Sequence, residues 1–406
     1  MKQGKFNSRM RYIGFILVTL ASFSSCKDVS VNKSALNFEY GSDFIIKSIF
    51  EIGSGEIYCL GNNVAGDSVI ILSYDSKRKL VDRINLNRMQ KFHGKISANF
   101  EEGVGWLISR TFTQDNSSIV EVFITDFDFN ILKENRIYQS PSSPNTYSGL
   151  VTQFDQMKDG GFVLSLDYSR REKTTNQRSN YKYKIIRLDE SLNIIYDFDS
   201  DKYGFNSNRW LPIDLQVCET SSGELFYASA VITDDGYRLV FGLLENSGEL
   251  SYQKVNEQNY VWFRVIGLKR IKEHILLHFF VNNQNILTYY MIDNTSGIIT
   301  KELALPDLFG SSSPYSFGNP ITVMSNSTVG QIVQNWEEVN LQYLTFDSEL
   351  NYTNMFSLSL PKFAWYDSYR QIELKNGNLL FGITADDRGS RNFILQELEP
   401  EGEFVQ

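Results

Sequence analysis

Beyond its N-terminal segment, the chain alternates short apolar runs with clusters of Asp, Asn, Ser and Gly. Phe162-Val-Leu-Ser-Leu166 and Leu379-Leu-Phe-Gly-Ile383 are representative runs. Runs this short, rich in β-branched and aromatic residues and closed by turn residues, predict strands. One phrase recurs: an apolar run, an acidic residue, two to four turn residues, then a second apolar run. Its acidic anchors are Asp75, Asp126, Asp189, Glu245, Asp293, Asp347 and Glu399, spaced 51, 63, 56, 48, 54 and 52 residues apart. An Asp entering a turn accepts hydrogen bonds from backbone N–H groups two residues on. Gly or Asn at the later turn positions is expected to supply the positive φ.

A second punctuation precedes several anchors, as in Gly53-Ser-Gly55, Asp159-Gly160-Gly161, Ser222-Gly223 and Asn376-Gly377. Each copy therefore reads as four antiparallel strands joined by a Gly turn, a variable loop and an Asp turn. Four strands in about 50 residues are the unit of an all-β propeller. A single blade cannot cover its faces, so the copies must stack in a ring. We expect a β-propeller of seven four-stranded blades at 43–86, 93–139, 149–201, 211–256, 260–306, 318–361 and 365–406. A six-bladed ring with one diverged copy, or two packed sandwiches, are the alternatives. Leader residues Ser34–Tyr40 are expected to close the ring against the short last strand near Glu403.

The first 25 residues have a different character. Lys2, Lys5, Arg9 and Arg11 precede the apolar run Tyr12–Ala21, and small residues Ser24-Ser25 precede Cys26. Basic, apolar and small-residue regions in that order mark a signal peptide. The apolar run is about half the roughly 20 residues needed to span a bilayer. Phe23-Ser24-Ser25-Cys26 resembles the bacterial lipobox, with Phe23 where Leu is usual. The resemblance implies lipidation of Cys26 and a membrane anchor through its acyl chains, such as palmitate. Lys27-Asp28 is similar in part to the surface-export signal of Bacteroidota lipoproteins. The repeats resemble those of propeller-type lipoproteins of that group. This divides the chain into a signal peptide (1–25), a lipidated Cys and tether (26–42) and a propeller (43–406). It implies an outer-membrane protein on the periplasmic or cell-surface side.

Charge excludes one class of partner. The chain carries 39 Lys and Arg against 48 Asp and Glu, a net of −9. Without the four bases of the signal, 35 bases face 48 acids. Nucleic-acid binding needs a basic footprint, which this chain lacks. Cys59 and Cys218 sit in apolar strand-like runs and read as free buried cysteines, a disulfide between them in an oxidising compartment being the alternative.

Candidate chemistry is sparse. His274 and His278 have the spacing of a helical metal pair, but their run reads as a strand. Strand geometry holds them roughly 13 Å apart, too far to share an ion. No nucleophile elbow, phosphate loop or dinucleotide fingerprint appears, so no cofactor and no metal are expected. Asp386-Asp387 and Glu337-Glu338 read as solvated loops. The connections from each outer strand to the next inner one, and the loops between second and third strands, gather on one funnel face of a propeller. Here they are aromatic and polar, and exposed Trp, Tyr and Arg dominate binding hot spots. The candidate ligand-binding residues are Arg209, Trp210, Trp262, Trp336, Trp365, Tyr366 and Arg370. Sealing between blades is the competing role for these aromatics. The functional expectation is a binding propeller for a glycan or an envelope protein partner. A polysaccharide hydrolase or lyase with carboxylates in the central channel is the alternative.

Overall fold

The computed structural model describes residues 36–40, 43–53, 55–92, 94–115, 117–140, 147–171, 178–199, 211–233, 236–256, 258, 260, 263–281, 286–305, 321–335, 340–358, 360, 365–387, 390–400 and 402–403. The expected Cys26, Arg209, Trp210, Trp262 and Trp336 lie outside these residues.

Seven antiparallel sheets of four strands form the ring. The inner strands are Phe44–Ile52, Lys95–Glu101, Tyr147–Gln156, Leu211–Glu219, Phe263–Ile271, Thr322–Val323 and Trp365–Glu373, for blades one to seven. The seven-blade expectation holds and the six-blade alternative falls. Among the described residues, helix is confined to short turns such as Leu86–Arg88. No helix among the described residues is long and apolar enough to cross a membrane.

Ring closure uses the leader. Leu36–Tyr40 pairs antiparallel with Ser390–Leu398, with Leu36 opposite Gln396 and Tyr40 opposite Asn392. The outer position of blade seven is thus filled from the N-terminal side. The expected outer strand near Glu403 is not formed among the described residues. Closure by this pairing removes an edge on which other chains could dock.

Among the described residues, apolar side chains gather in seven clusters, and each cluster lies between two adjacent blades. Trp106, Phe92 and Phe123 pack with Ile71 and Leu86 between blades one and two. Phe44 and Ile57 pack with Phe393 and Leu380 between blades one and seven. The hydrophobic stabilisation is therefore spread around the ring, and every blade depends on both neighbours.

The acidic anchors behave alike in all seven blades. Each anchor N–H donates to a carbonyl four residues on, or five at Asp293, at 2.8–3.0 Å. Asp75, Asp189 and Asp347 accept from N–H groups two and four residues on at 2.8–2.9 Å. The positive φ, however, does not fall on Asn. It falls on Gly248, Gly297 and Gly402 in three blades, as expected, and on Arg78, Phe129, Leu192 and Leu350 in the other four, with φ of 62°, 62°, 67° and 59°. Phe129, Leu192 and Leu350 are buried in the clusters, which offsets the left-handed strain. The Asn comes next and braces the anchor. Asn130, Asn193 and Asn351 donate through Nδ2 to Asp126, Asp189 and Asp347 at 2.8, 3.0 and 2.8 Å. These side-chain bonds, then the backbone ones, hold the three carboxyls below the ordinary carboxylate range.

A second recurring contact joins blades at the hairpin face. A turn N–H of one blade donates to a Glu carboxylate of the next: Lys158 to Glu219 at 3.0 Å, Ser325 to Glu373 at 2.6 Å, and Lys375 to Glu51 at 2.6 Å. The last of these spans blades seven and one, so the closing interface uses the same latch as interior ones.

Candidate functional site

The inner strands enclose a cavity of about 510 Å³ on the ring axis. That lies within the range of small-ligand sites. Its polar lining comprises Lys47 and Ser48 from blade one, Asn99 and Glu101 from blade two, Asp155 from blade three, Lys269 from blade five, Thr322 from blade six, and Arg370 and Gln371 from blade seven. Phe50, Ile321 and Ile372 supply apolar wall.

These groups reach the axis because inner strands alternate. In Ile46-Lys47-Ser48-Ile49-Phe50 and Gln153-Phe154-Asp155, Ile46, Ile49 and Phe154 are buried between blades. Bulges in the inner strands disturb the alternation. They fall at 46–48, 151–153, 213–216, 265–267 and 366–368 in blades one, three, four, five and seven. Such irregularities re-aim side chains at functional rims.

Opposite charges occupy different arcs of the wall. On blades two and three, Asp155 accepts from Asn99 Nδ2 and from Gln153 Nε2, each at 2.5 Å. Gln153 also spans to blade four, donating to the Val217 carbonyl at 2.8 Å and accepting from its N–H at 3.0 Å. Beside this belt, burial raises the Glu101 carboxyl, with smaller contributions from Asp155 and Glu102. A carboxyl raised next to another acid suits holding or transferring a proton.

Blades seven, one and five carry the cations. Arg370 is half-buried and donates from Nε to the Lys47 carbonyl and from Nη1 to the Tyr369 carbonyl, both at 2.6 Å. Burial pushes it down to about 10, still cationic at neutral pH. Burial, then Arg370 and Arg264, lowers the Lys47 ammonium. Lys47 Nζ makes no hydrogen bond or ion pair with a described residue. Arg264 is committed to a two-point pair with Asp214 at 3.0 and 3.1 Å, tying blades five and four. Asp214 reaches it from a left-handed bulge residue, φ 54°.

Of the residues singled out from sequence, Arg370 lines the cavity. Tyr366, 4% exposed, is buried in the cluster between blades six and seven, where burial pushes its hydroxyl up to about 12. It serves there as a seal between blades. Trp365 opens the inner strand of blade seven opposite Asp386; its side chain lies outside the described residues. Lys47, Asn99, Glu101, Asp155 and Lys269 also line the cavity and were not among the residues expected from sequence. The signal for them was a polar residue at alternate positions of an inner strand.

No three His, Cys, Asp or Glu side chains converge as a metal set among the described residues. His278 is buried, with its ring stacked on Tyr289 at 6.2 Å. Cys59 and Cys218 are free thiols in different blades. Burial pushes Cys218 up to about 11 and Cys59 further, so neither is a thiolate at neutral pH.

No protein-family model matches the sequence, and no curated protein matches it. Solved structures do share its fold. A polysaccharide lyase aligns over 87% of this chain and 89% of its own, with TM-score 0.50 and 10% identity. The α-L-arabinanase of Penicillium chrysogenum, complexed with arabinobiose, aligns over 89% and 95%, with TM-score 0.45 and 12% identity. Prolyl oligopeptidase B of Galerina marginata aligns over 87% of this chain and 47% of its own, with TM-score 0.46 and 10% identity. At these identities the likeness is one of fold.

Proposed function

We propose that this protein is an exported, lipid-anchored propeller that binds a polar ligand in its central channel. The observation that carries this is Lys47. Its ammonium lacks a partner among the described residues, and it lines a cavity whose adjoining wall is a braced belt of carboxylate and amide groups. Lys47 is exposed to the channel, and a cation facing a cleft without a counter-ion draws an anionic group to it. The funnel-face residues Arg209, Trp210, Trp262, Trp336 and Trp365 would extend the site toward a glycan or an envelope partner.

The test combines a glycan array with pull-down from membrane extracts, for the wild type and for Lys47→Gln and Trp210→Ala. Binding that survives both changes undiminished would count against the site. The anchor is tested by labelling with a clickable fatty acid, with Cys26→Ala as control. Label retained by that variant sinks the lipid assignment.

A second reading has its own observation. Glu101 and Asp155 both line the channel, and burial raises the Glu101 carboxyl, which suits it to hold a proton. A polysaccharide-cleaving enzyme would release shortened chains, and Glu101→Gln would abolish release while leaving binding in place. Absence of turnover across a polysaccharide panel would leave the binding reading alone.

A further inference from the structure

We infer that the channel ligand is an acidic oligosaccharide, a chain of uronate residues running from the ring axis to the hairpin-face mouth; this rests on the channel being a binding site. Lys269, Arg270 and Lys272 stand within one blade-five hairpin. Lys269 lines the axial cavity. Arg270 and Lys272 line a second cavity of about 400 Å³ together with Lys158 and Ser221. Val323 lines both cavities, so they share a wall.

The cations at the mouth are held by neutral groups. Arg270 Nη1 and Lys158 Nζ donate to the Thr220 carbonyl at 3.1 and 3.2 Å. Lys272 Nζ donates to Ser348 Oγ at 3.0 Å. Glu273 is the acid among the lining residues, and it already accepts from Ser221 Oγ at 2.5 Å. In a protein with net charge −9, this lane of cations is a local reversal of sign. Such a reversal along a cleft concentrates anions there.

The acidic arc of the wall selects the kind of anion. Glu101 and Asp155, on blades two and three, are acceptors; they adjoin Lys47 on blade one, lie round the ring from Arg370 on blade seven, and call for hydroxyl donors. A pyranose uronate carries its carboxylate on C5, across the ring from the hydroxyls on C2 and C3. One edge thus meets the cations while the other donates to the acceptors. An extended acidic peptide projects successive side chains to alternate sides. It carries carboxylates but no ring-hydroxyl edge to donate to Glu101 and Asp155.

The test is calorimetric titration of the purified protein with dimers to hexamers of galacturonate, mannuronate, guluronate and glucuronate. Neutral hexose oligomers and hexaglutamate are the comparators. At least one uronate series is expected to bind, about tenfold or more tighter as tetramer than as dimer. Lys47→Gln should weaken every length by about tenfold or more, and Lys272→Gln only the tetramer and longer. Circular dichroism melts establish that both variants fold. Hexaglutamate binding as tightly as the uronate tetramer would replace the glycan with an acidic peptide. Neutral oligomers binding as well as uronates, with no effect of Lys47→Gln, would overturn the acidic assignment. Lys272→Gln without effect at any length would overturn the path to the mouth. Failure of every uronate series overturns the inference outright. The glycan-array and pull-down screen then decides separately whether the channel binds another ligand.

Discussion

Gln153 holds Val217 by both ends of its carboxamide, donating to the carbonyl at 2.8 Å and accepting from the N–H at 3.0 Å. One side chain thereby pairs with a neighbouring blade's backbone as a strand would. Each bond contributes about 0.5–1.5 kcal/mol net, so Gln153→Ala should cost about 1–3 kcal/mol in urea unfolding. Gln153→Glu places a second carboxylate against Asp155. Its penalty should grow as pH rises through the carboxylate range.

Leu192 combines two opposed effects, full burial and a φ of 67°. Leu192→Ala opens a cavity and keeps the strain, at about 2–5 kcal/mol. Leu192→Gly opens a similar cavity but releases about 1–2 kcal/mol of left-handed strain. The glycine variant should be no less stable than the alanine variant, reversing the usual order. A urea midpoint for Leu192→Gly clearly below that of Leu192→Ala would contradict this account.

The braced turn carboxyls make stability fall in acid. Asp126, Asp189 and Asp347 are held below the ordinary 3.8, chiefly by the Asn side chains. A depressed folded-state value stabilises above the unfolded value and is lost as pH drops through the folded one. The effect is therefore present above about pH 4 and disappears below it. The triple variant Asp126→Asn, Asp189→Asn, Asp347→Asn should show a shallower fall in unfolding free energy between about pH 5 and pH 2. An unchanged slope would place the acid sensitivity elsewhere.

Removal of residues 36–40 should leave Ser390–Leu398 with an open edge. Earlier loss of amide protection at Asn392–Gln396 is expected in hydrogen exchange, with self-association in sedimentation. A monomer with wild-type protection would show that the closing strand is dispensable.

The blades were legible because the Asp turn recurs with the chain, and a turn is read locally. Its inner detail was not. Asn looks like the left-handed residue in Asp-x-x-Leu-Asn, yet burial of Leu192 or Phe129 reassigns that role to the apolar position. That depends on a neighbouring blade and has no local signature. The channel was hidden for a related reason. Lys47 and Asp155 alternate with apolar residues just as solvent-facing residues of any strand do. Their convergence exists only once seven copies close on one axis. Tyr366 shows the converse, since an aromatic beside a loop reads as a contact residue until the adjoining blade covers it.

The strand that closes the ring is also the first described segment of the chain, five residues wide in its pairing. Tension applied at the N-terminal side would be borne there before any other part of the ring felt it. An anchor on that side would make the closing strand a mechanical joint, and pulling the protein free would begin by opening the circle.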